Sequence, residues 1–293
     1  MVESAPASSI PGRGGASLVH IASDDATHTL MLIFGASREQ QFDDFWTITV
    51  DRKEYKVTKV TMVELKERDN LTTRNSMAAI AYKGKVVMFG GQDSEKQVLY
   101  NDLYTIDTTK NFEIKHVQYE DGEIAPIPRN SHVLATGGEG SAYMFGGANQ
   151  EGPRRDLLKL DLDTLRFSNI KVQETDKVKL PSLEMHTAHV YQGKKLLILG
   201  GRGMFPGQTV EEAAFQDDIY SVDVETGDLE IFGKLPSDLA SHQSALIDDQ
   251  FIVMYGGTNG LRFFDSVIRY SIPDKKWTLM TKQPKHCKSS RFF

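Results

Sequence analysis

The run Lys85-Val86-Val87-Met88-Phe89-Gly90-Gly91, an apolar stretch stopped by paired glycines, decides the fold because the chain repeats it. Its counterparts run from Leu30 to Phe34 with Gly35, from Ala142 to Phe145 with Gly146-Gly147, from Lys195 to Leu199 with Gly200-Gly201, and from Phe251 to Tyr255 with Gly256-Gly257. Counted on Gly35, Gly90, Gly146, Gly200 and Gly256, the intervals are 55, 56, 54 and 56 residues. So regular a period marks an array of supersecondary units, none of which can bury a core alone. Each apolar run reads as a β-strand between turn signals. The glycines behind it supply positive φ and room for a neighbouring backbone.

Working outward from that run, each unit resolves into four strands, which in the second unit are expected at residues 76–82, 85–89, 102–106 and 112–117. The third strand opens on an acidic or small polar residue before an apolar pair, at Asp44, Asp102, Asp156, Asp218 and Ser266. A carboxylate recurring at one place in every unit points to hydrogen bonding at the start of a strand. A catalytic pair would break the symmetry. The fourth strand is expected to carry one bulky anchor, Tyr55, Phe112, Phe167, Leu229 and Trp277 in turn, wedging one sheet against the next.

These features together resemble kelch repeats, most clearly in the fifth unit, from Met254-Tyr255-Gly256-Gly257 to Asp274-Lys275-Lys276-Trp277. The resemblance implies an all-β, kelch-type β-propeller of four-stranded antiparallel blades. On this reading residues 1–12 are an N-terminal segment and 13–293 the propeller, with repeats at about 13–62, 72–119, 127–174, 184–235 and 240–281 and a partial one at 286–293. Two departures are visible: Gly35-Ala36 stands where a glycine pair is expected, and Leu229 replaces an aromatic anchor. Lys288-Ser289-Ser290-Arg291-Phe292-Phe293 can be laid on Arg129-Asn130-Ser131-His132-Val133-Leu134 as the start of a sixth unit. A propeller must protect its sheet edges. Three closures therefore stand open: a truncated six-bladed chain, a five-bladed ring, or completion by another chain.

A net charge of −6 gives no overall attraction to nucleic acid. The lone Cys287 forbids an intrachain disulfide and reads as a reducing compartment. With no apolar stretch long enough to span a bilayer and no signal-peptide core, the expected location is the cytoplasm, with the nucleus open as well, and no membrane insertion.

Motifs for chemistry are sparse. His186 and His189 are three apart, which on a strand directs them to opposite faces and disfavours a shared metal. Gly137-Gly138-Glu139-Gly140 lies between two strands, so it reads as a hairpin turn, not a phosphate cradle. No cofactor is expected. The constellation that does stand out is cationic. Arg13, Arg74, Arg129, His186, His242 and Lys288 fall near equivalent places before each first strand, and Arg38, Arg154, Arg155, Arg202 and Arg262 lie in the loops after the glycines. In BTB-kelch ubiquitin-ligase adaptors, arginines of both loop types grip acidic peptides, and Arg74 and Arg129 match the first type best. Guanidinium forks bind carboxylates in bidentate fashion. The other reading is that these arginines cap carbonyls of an adjoining blade.

The longest loop follows Gly201; its Met204, Phe205 and Phe215 could form an apolar hot spot or pack on their own blade, and the patch Leu261-Arg262-Phe263-Phe264 has the same two readings. Thr209 can cap a short helix there. The resulting expectation is a non-catalytic protein-interaction scaffold that takes a partner through Arg38, Arg74, Arg129, Arg154, Arg155, Arg202, Phe205, Arg262 and Phe263. The partner would be an acidic peptide motif, or a ubiquitin-ligase or trafficking component. The competing class is a propeller enzyme or small-molecule binder using the channel mouth, with His186 and His242 as its polar groups.

Overall fold

The computed structural model describes residues 10–65 and 67–282. They contain five four-stranded antiparallel sheets, each pairing its strands in chain order, with short strands of two or three residues intervening between the second and third strands of sheets 2 to 4. Sheet 1 comprises Ser17–Ser23, Thr27–Ile33, Phe45–Asp51 and Val57–Met62; sheet 2 comprises Ala78–Tyr82, Lys85–Phe89, Leu103–Asp107 and Glu113–Val117. Sheet 3 comprises Val133–Thr136, Ser141–Phe145, Leu157–Asp161 and Arg166–Ile170; sheet 4 comprises Thr187–Tyr191, Lys195–Leu199, Asp218–Asp223 and Leu229–Lys234. Sheet 5 comprises Ala240–Ile247, Phe251–Thr258, Ser266–Ser271 and Lys276–Lys282. These sheets are blades of a β-propeller. The chain falls into two compact units, with sheets 1 and 2 in residues 10–130 and sheets 3 to 5 in residues 131–282. The expected start of a sixth repeat, over Lys288 to Phe293, and Cys287 lie outside the described residues.

Continuous apolar runs form the second strands because these strands are buried on both faces. In Lys195–Leu199, Leu196 and Ile198 pack with Phe145 and Leu157 of sheet 3, while Leu197 and Leu199 pack with Ile252 and Met254 of sheet 5. In the first unit the core joins Met31, Ile33, Phe34 and Phe45 to Val86, Met88, Tyr104 and Ile106. Sheet 5 instead alternates: Ile252 and Met254 are buried, Phe251 and Val253 half-buried and Tyr255 exposed.

Backbone conformation corrects the register read from the sequence. In sheets 2 to 5 the paired glycines take φ of 64° and 95°, 65° and 85°, 59° and 98°, and 73° and 92°. In sheet 1 the residues with this pair of conformations are Phe34 (54°) and Gly35 (102°), not Gly35 and Ala36. Phe34 therefore occupies the first glycine position, and its N–H donates to the Asp44 carbonyl as that of Gly90 does to Asp102. Gly91 cannot be larger: a Cβ there would sit 2.8 Å from the Asn75 carbonyl oxygen. Two anchors also shift. Tyr55 has φ 53° and is 78 % exposed, because it belongs to the turn; the ladder places Val57, Ile114, Phe167, Leu229 and Trp277 opposite Val50, Ile106, Leu160, Val222 and Tyr270.

Candidate partner-binding surface

At or just before the start of each first strand stands a second repeated conformation, a left-handed residue at Gly15, Ser76, Ser131, Met185 and Ser241. Counting from it, Arg13, Arg74 and Arg129 are true equivalents, whereas the same position in the fourth and fifth units holds Leu183 and Leu239. The N–H groups of Gly35, Gly91, Gly147 and Gly201 agree, donating to the carbonyls of Arg74, Arg129, Leu183 and Leu239. His186 and His242 stand three residues further on, beside His132, and so are not counterparts of the arginines.

Arg74 and Arg129 are fully buried. The Arg74 guanidinium forms a bidentate pair with Asp102, donates to the carbonyls of Thr72 and Gly90 at 3.2 Å each, and lies 4.0 Å over the Tyr100 ring. Arg13 does the same with Asp44, donates to the Phe34 carbonyl at 3.0 Å and stacks 3.9 Å over Phe42. Burial works to raise the Asp44 carboxyl's pKa, but hydrogen bonds from Arg13 and Trp46 outweigh it and hold the group below the usual range. The Arg129 Nε donates to the Ile127 carbonyl at 3.0 Å. Bidentate, desolvated pairs of this kind fix geometry. Full burial leaves Arg74 and Arg129 no exposed group for a partner, so both drop out of the candidate surface.

In the fourth unit, where leucine replaces the arginine, Lys234 Nζ sits 3.1 Å from Asp218 instead. In the fifth, arginine and aspartate are both gone, leaving Leu239 and Ser266. The neighbouring position holds Asn75, which exchanges backbone hydrogen bonds with Gln92 and sits in a carboxamide network with Gln41, Gln92 and, through Gln92, Asn130. Its counterpart in the fourth unit is the cross-strand pair Glu184 and Arg202.

In residues 131–282, three successive loops after the glycines adjoin one another. A Cβ on Gly152 would lie 2.7 Å from Val210, and one on Gly260 would lie 2.9 Å from Phe215. The middle loop carries a single 3-10 turn, Val210–Glu212, begun by Thr209, whose N–H donates to Glu212 at 2.8 Å. Arg154, Arg155, Arg202, Phe205, Arg262 and Phe263 all belong to these loops and their borders. Arg154 pairs with Glu151 at 3.0 Å, Arg202 with Glu184 at 3.0 Å, and Arg155 with Glu174. With Glu211 and Glu212 also exposed, the surface is mixed in charge, not a cationic ring. Phe205 is half-buried, and Phe263 is 41 % exposed. Arg262 has no carboxylate partner among the described residues, nor has the exposed Arg38 in the first unit. Sequence reasoning missed the glutamate partners, whose positions depend on register. Of the patch Leu261-Arg262-Phe263-Phe264, Leu261 is 93% exposed, next to the Asn259-Gly260 turn.

His186 and His242 are 5 % and 2 % exposed. His242 Nε2 meets the Thr187 hydroxyl at 2.9 Å, and His189 Nε2 meets that of Ser244 at 2.7 Å, where the first strands of sheets 4 and 5 pack. Burial lowers the pKa of His186 to about 3, with repulsion from His242 adding to it, and those of His189 and His242 to about 4. His186 and His242 are enclosed imidazoles that burial keeps neutral. They offer no open polar group to a channel-mouth ligand.

Five successive four-stranded blades, glycine-paired second strands and arginine–aspartate locks define a kelch-type propeller. The profile described as the KLHDC2/KLHL20/DRC7 Kelch-repeats domain matches residues 20–227 and 76–293, and the chain belongs to that family. It is 34% identical over 117 residues to human multiple epidermal growth factor-like domains protein 8, covering 39% of this chain and 4% of that protein. It is 30% identical over 204 residues to acyl-CoA-binding domain-containing protein 4 of Arabidopsis thaliana, covering 67% of this chain and 28% of that one. It is 28% identical over 192 residues to the Rab9 effector protein with kelch motifs of Bos taurus, covering 64% and 47%. The chain thus spans less than half the length of these relatives. Kelch repeats are protein-interaction modules, generally without catalytic machinery. No helix among the described residues is long and apolar enough to cross a membrane.

Proposed function

We propose that this chain is a non-catalytic protein-interaction scaffold whose loop surface in residues 131–282 takes an acidic segment of a partner protein. The carrying observation is that Arg154, Arg155, Arg202 and Arg262 come from adjoining loops, with Arg262 lacking a carboxylate partner among the described residues and each of the others in a side-chain ion pair. The three pairs differ in exposure: Glu151, which holds Arg154, is 78% exposed, whereas Glu174 and Glu184, which hold Arg155 and Arg202, are 20% and 13% exposed. An exposed pair like Arg154–Glu151 contributes about 0–1 kcal/mol, so at Arg154 a partner's carboxylate can take the glutamate's place at little cost. The bovine relative's name, a Rab9 effector protein with kelch motifs, supports a protein partner, with a trafficking or ubiquitin-ligase component as the candidates. The cytosol is the compartment where either is met.

The test is affinity capture from a cell lysate with mass spectrometry, comparing the native chain with an Arg154→Glu, Arg155→Glu variant that melts normally. The proposal expects specific proteins to be lost with the variant, and their binding to weaken as salt screens the charges. Identical captured sets from both chains would remove the arginine surface as the binding site.

A further inference from the structure

Among the arginine-bearing loops, the one after Gly256-Gly257 is built differently at its tip. The Thr258 hydroxyl donates to the Arg262 carbonyl at 2.9 Å and accepts the Gly260 N–H at 3.0 Å. The Asn259 side-chain oxygen accepts the N–H groups of Leu261 and Arg262 at 3.2 Å each. Thr258 and Phe263 form a backbone bridge, and the Phe264 N–H donates to the Gly257 carbonyl at 2.9 Å. Gly260, at φ +84°, is backed by the Phe215 ring from the preceding loop. The turn is thereby held in one conformation, and it holds Leu261 at 93% exposure beside Phe263. Arg262 lies between them in sequence, its guanidinium 4.8 Å from the Phe264 ring centroid.

A single exposed leucine is ordinary on a protein surface. Here, however, a leucine, a phenylalanine and an arginine without a carboxylate are presented together on a pre-ordered turn. Pre-ordering of the turn's backbone removes part of the ordering cost of binding. Aromatic and arginine side chains are also the types enriched where interfaces concentrate their energy. Arg154, Arg155 and Arg202 must each surrender a glutamate to receive a new carboxylate, whereas Arg262 need not.

Resting on the reading of this surface as a protein-binding one, we infer that the Leu261–Phe263 tip is the anchor for a partner segment in which an acidic residue neighbours an apolar one. Arg262 takes the carboxylate, stiffened by its stacking on Phe264. Leu261 and Phe263 cover the apolar side chain and are themselves taken out of water.

The probe is a phage-displayed random dodecapeptide library, selected on the full chain and followed by anisotropy titration of the enriched peptides. Enriched peptides should place Asp or Glu next to an aliphatic or aromatic residue. Leu261→Ser and Arg262→Glu should each weaken them by about tenfold or more, the loss typical of an anchor side chain. Both replacements are at exposed side chains, so unchanged melting separates lost binding from lost folding. Peptides that bind both variants like the native chain but fail on Arg154→Glu, Arg155→Glu overturn the anchor and leave the arginine surface standing. Peptides insensitive to all four changes, or no enrichment at all, count against both.

Discussion

Arg74 and Asp102 form a bidentate pair in which the arginine side chain is 0% and the aspartate 19% exposed, tying the lead-in of sheet 2 to the start of its third strand. The fifth unit has no charge at either equivalent position, where Leu239 and Ser266 stand. Replacing Arg74 alone with leucine strands the Asp102 carboxylate in a largely desolvated place. A cost of about 3–5 kcal/mol is expected from breaking such a pair. The double change Arg74→Leu, Asp102→Ser should return to within about 2 kcal/mol of the native chain, because a buried pair exchanged for apolar packing is often close to neutral. Urea denaturation of the three proteins measures this. Equal losses in the single and double variants would show that Arg74 acts through the Thr72 and Gly90 carbonyls and not through Asp102.

Phe34 sets two effects against each other. Its φ of 54° is strained for a side-chain-bearing residue, which glycine would relieve by about 1–3 kcal/mol. Its ring is fully buried and lies 4.7 Å from that of Phe45, and removing such a ring costs about 3–5 kcal/mol. Packing wins, so Phe34→Gly should destabilise by about 2 kcal/mol even though it restores the glycine found in every other unit. A higher melting midpoint for the variant would reverse that ranking.

The buried histidines give stability a specific pH dependence. Unfolded, they take up protons around pH 6.5; folded, His189 and His242 do so only at about 4 and His186 at about 3. The unfolded chain therefore binds more protons across this window, and stability falls as pH drops from 6.5 towards 4. Each histidine steepens the slope by up to about 1.4 kcal/mol per pH unit. The turn aspartates Asp51, Asp107, Asp161 and Asp223, held low mainly by hydrogen bonds, act at lower pH, below their ordinary 3.8. Unfolding midpoints from pH 7 to 4.5 should flatten in His242→Gln. An unchanged slope would mean that the imidazole is already solvated.

Fold and site differ in how much of them the sequence carried. The strands were legible because Val86-Val87-Met88-Phe89 and Leu196-Leu197-Ile198-Leu199 must be buried on both faces, a demand written directly in side-chain type. Register was legible only to within one or two residues. Phe34 and Tyr55 adopt glycine-like conformations, and nothing in a phenylalanine or tyrosine announces a positive φ. The arginines were visible as a repeated cation, but their use depends on a partner distant in sequence. Arg74 meets Asp102 and Arg202 meets Glu184 only after the sheet has formed, so the same residue type ends as a core lock in one loop and a half-exposed pair in another.

Trp277 tests the wedge expected of the fourth strand. The ring is half-buried, stacks on Tyr270 with centroids 4.8 Å apart, and donates its indole N–H to the Lys234 carbonyl of sheet 4 at 2.8 Å. It is therefore a tie between sheets as well as packing material. Full burial would make Trp277→Ala cost about 3–5 kcal/mol; partial exposure lowers the expectation to about 2–3 kcal/mol. Trp277→Phe keeps the stack and deletes the donor, leaving a loss near 1 kcal/mol, the usual net contribution of one hydrogen bond. Guanidinium titrations of both variants, followed by circular dichroism, separate the two contributions. Should Trp277→Phe be as damaging as Trp277→Ala, the bond to Lys234 carries the joint between sheets 4 and 5; should it be neutral, the stack on Tyr270 does.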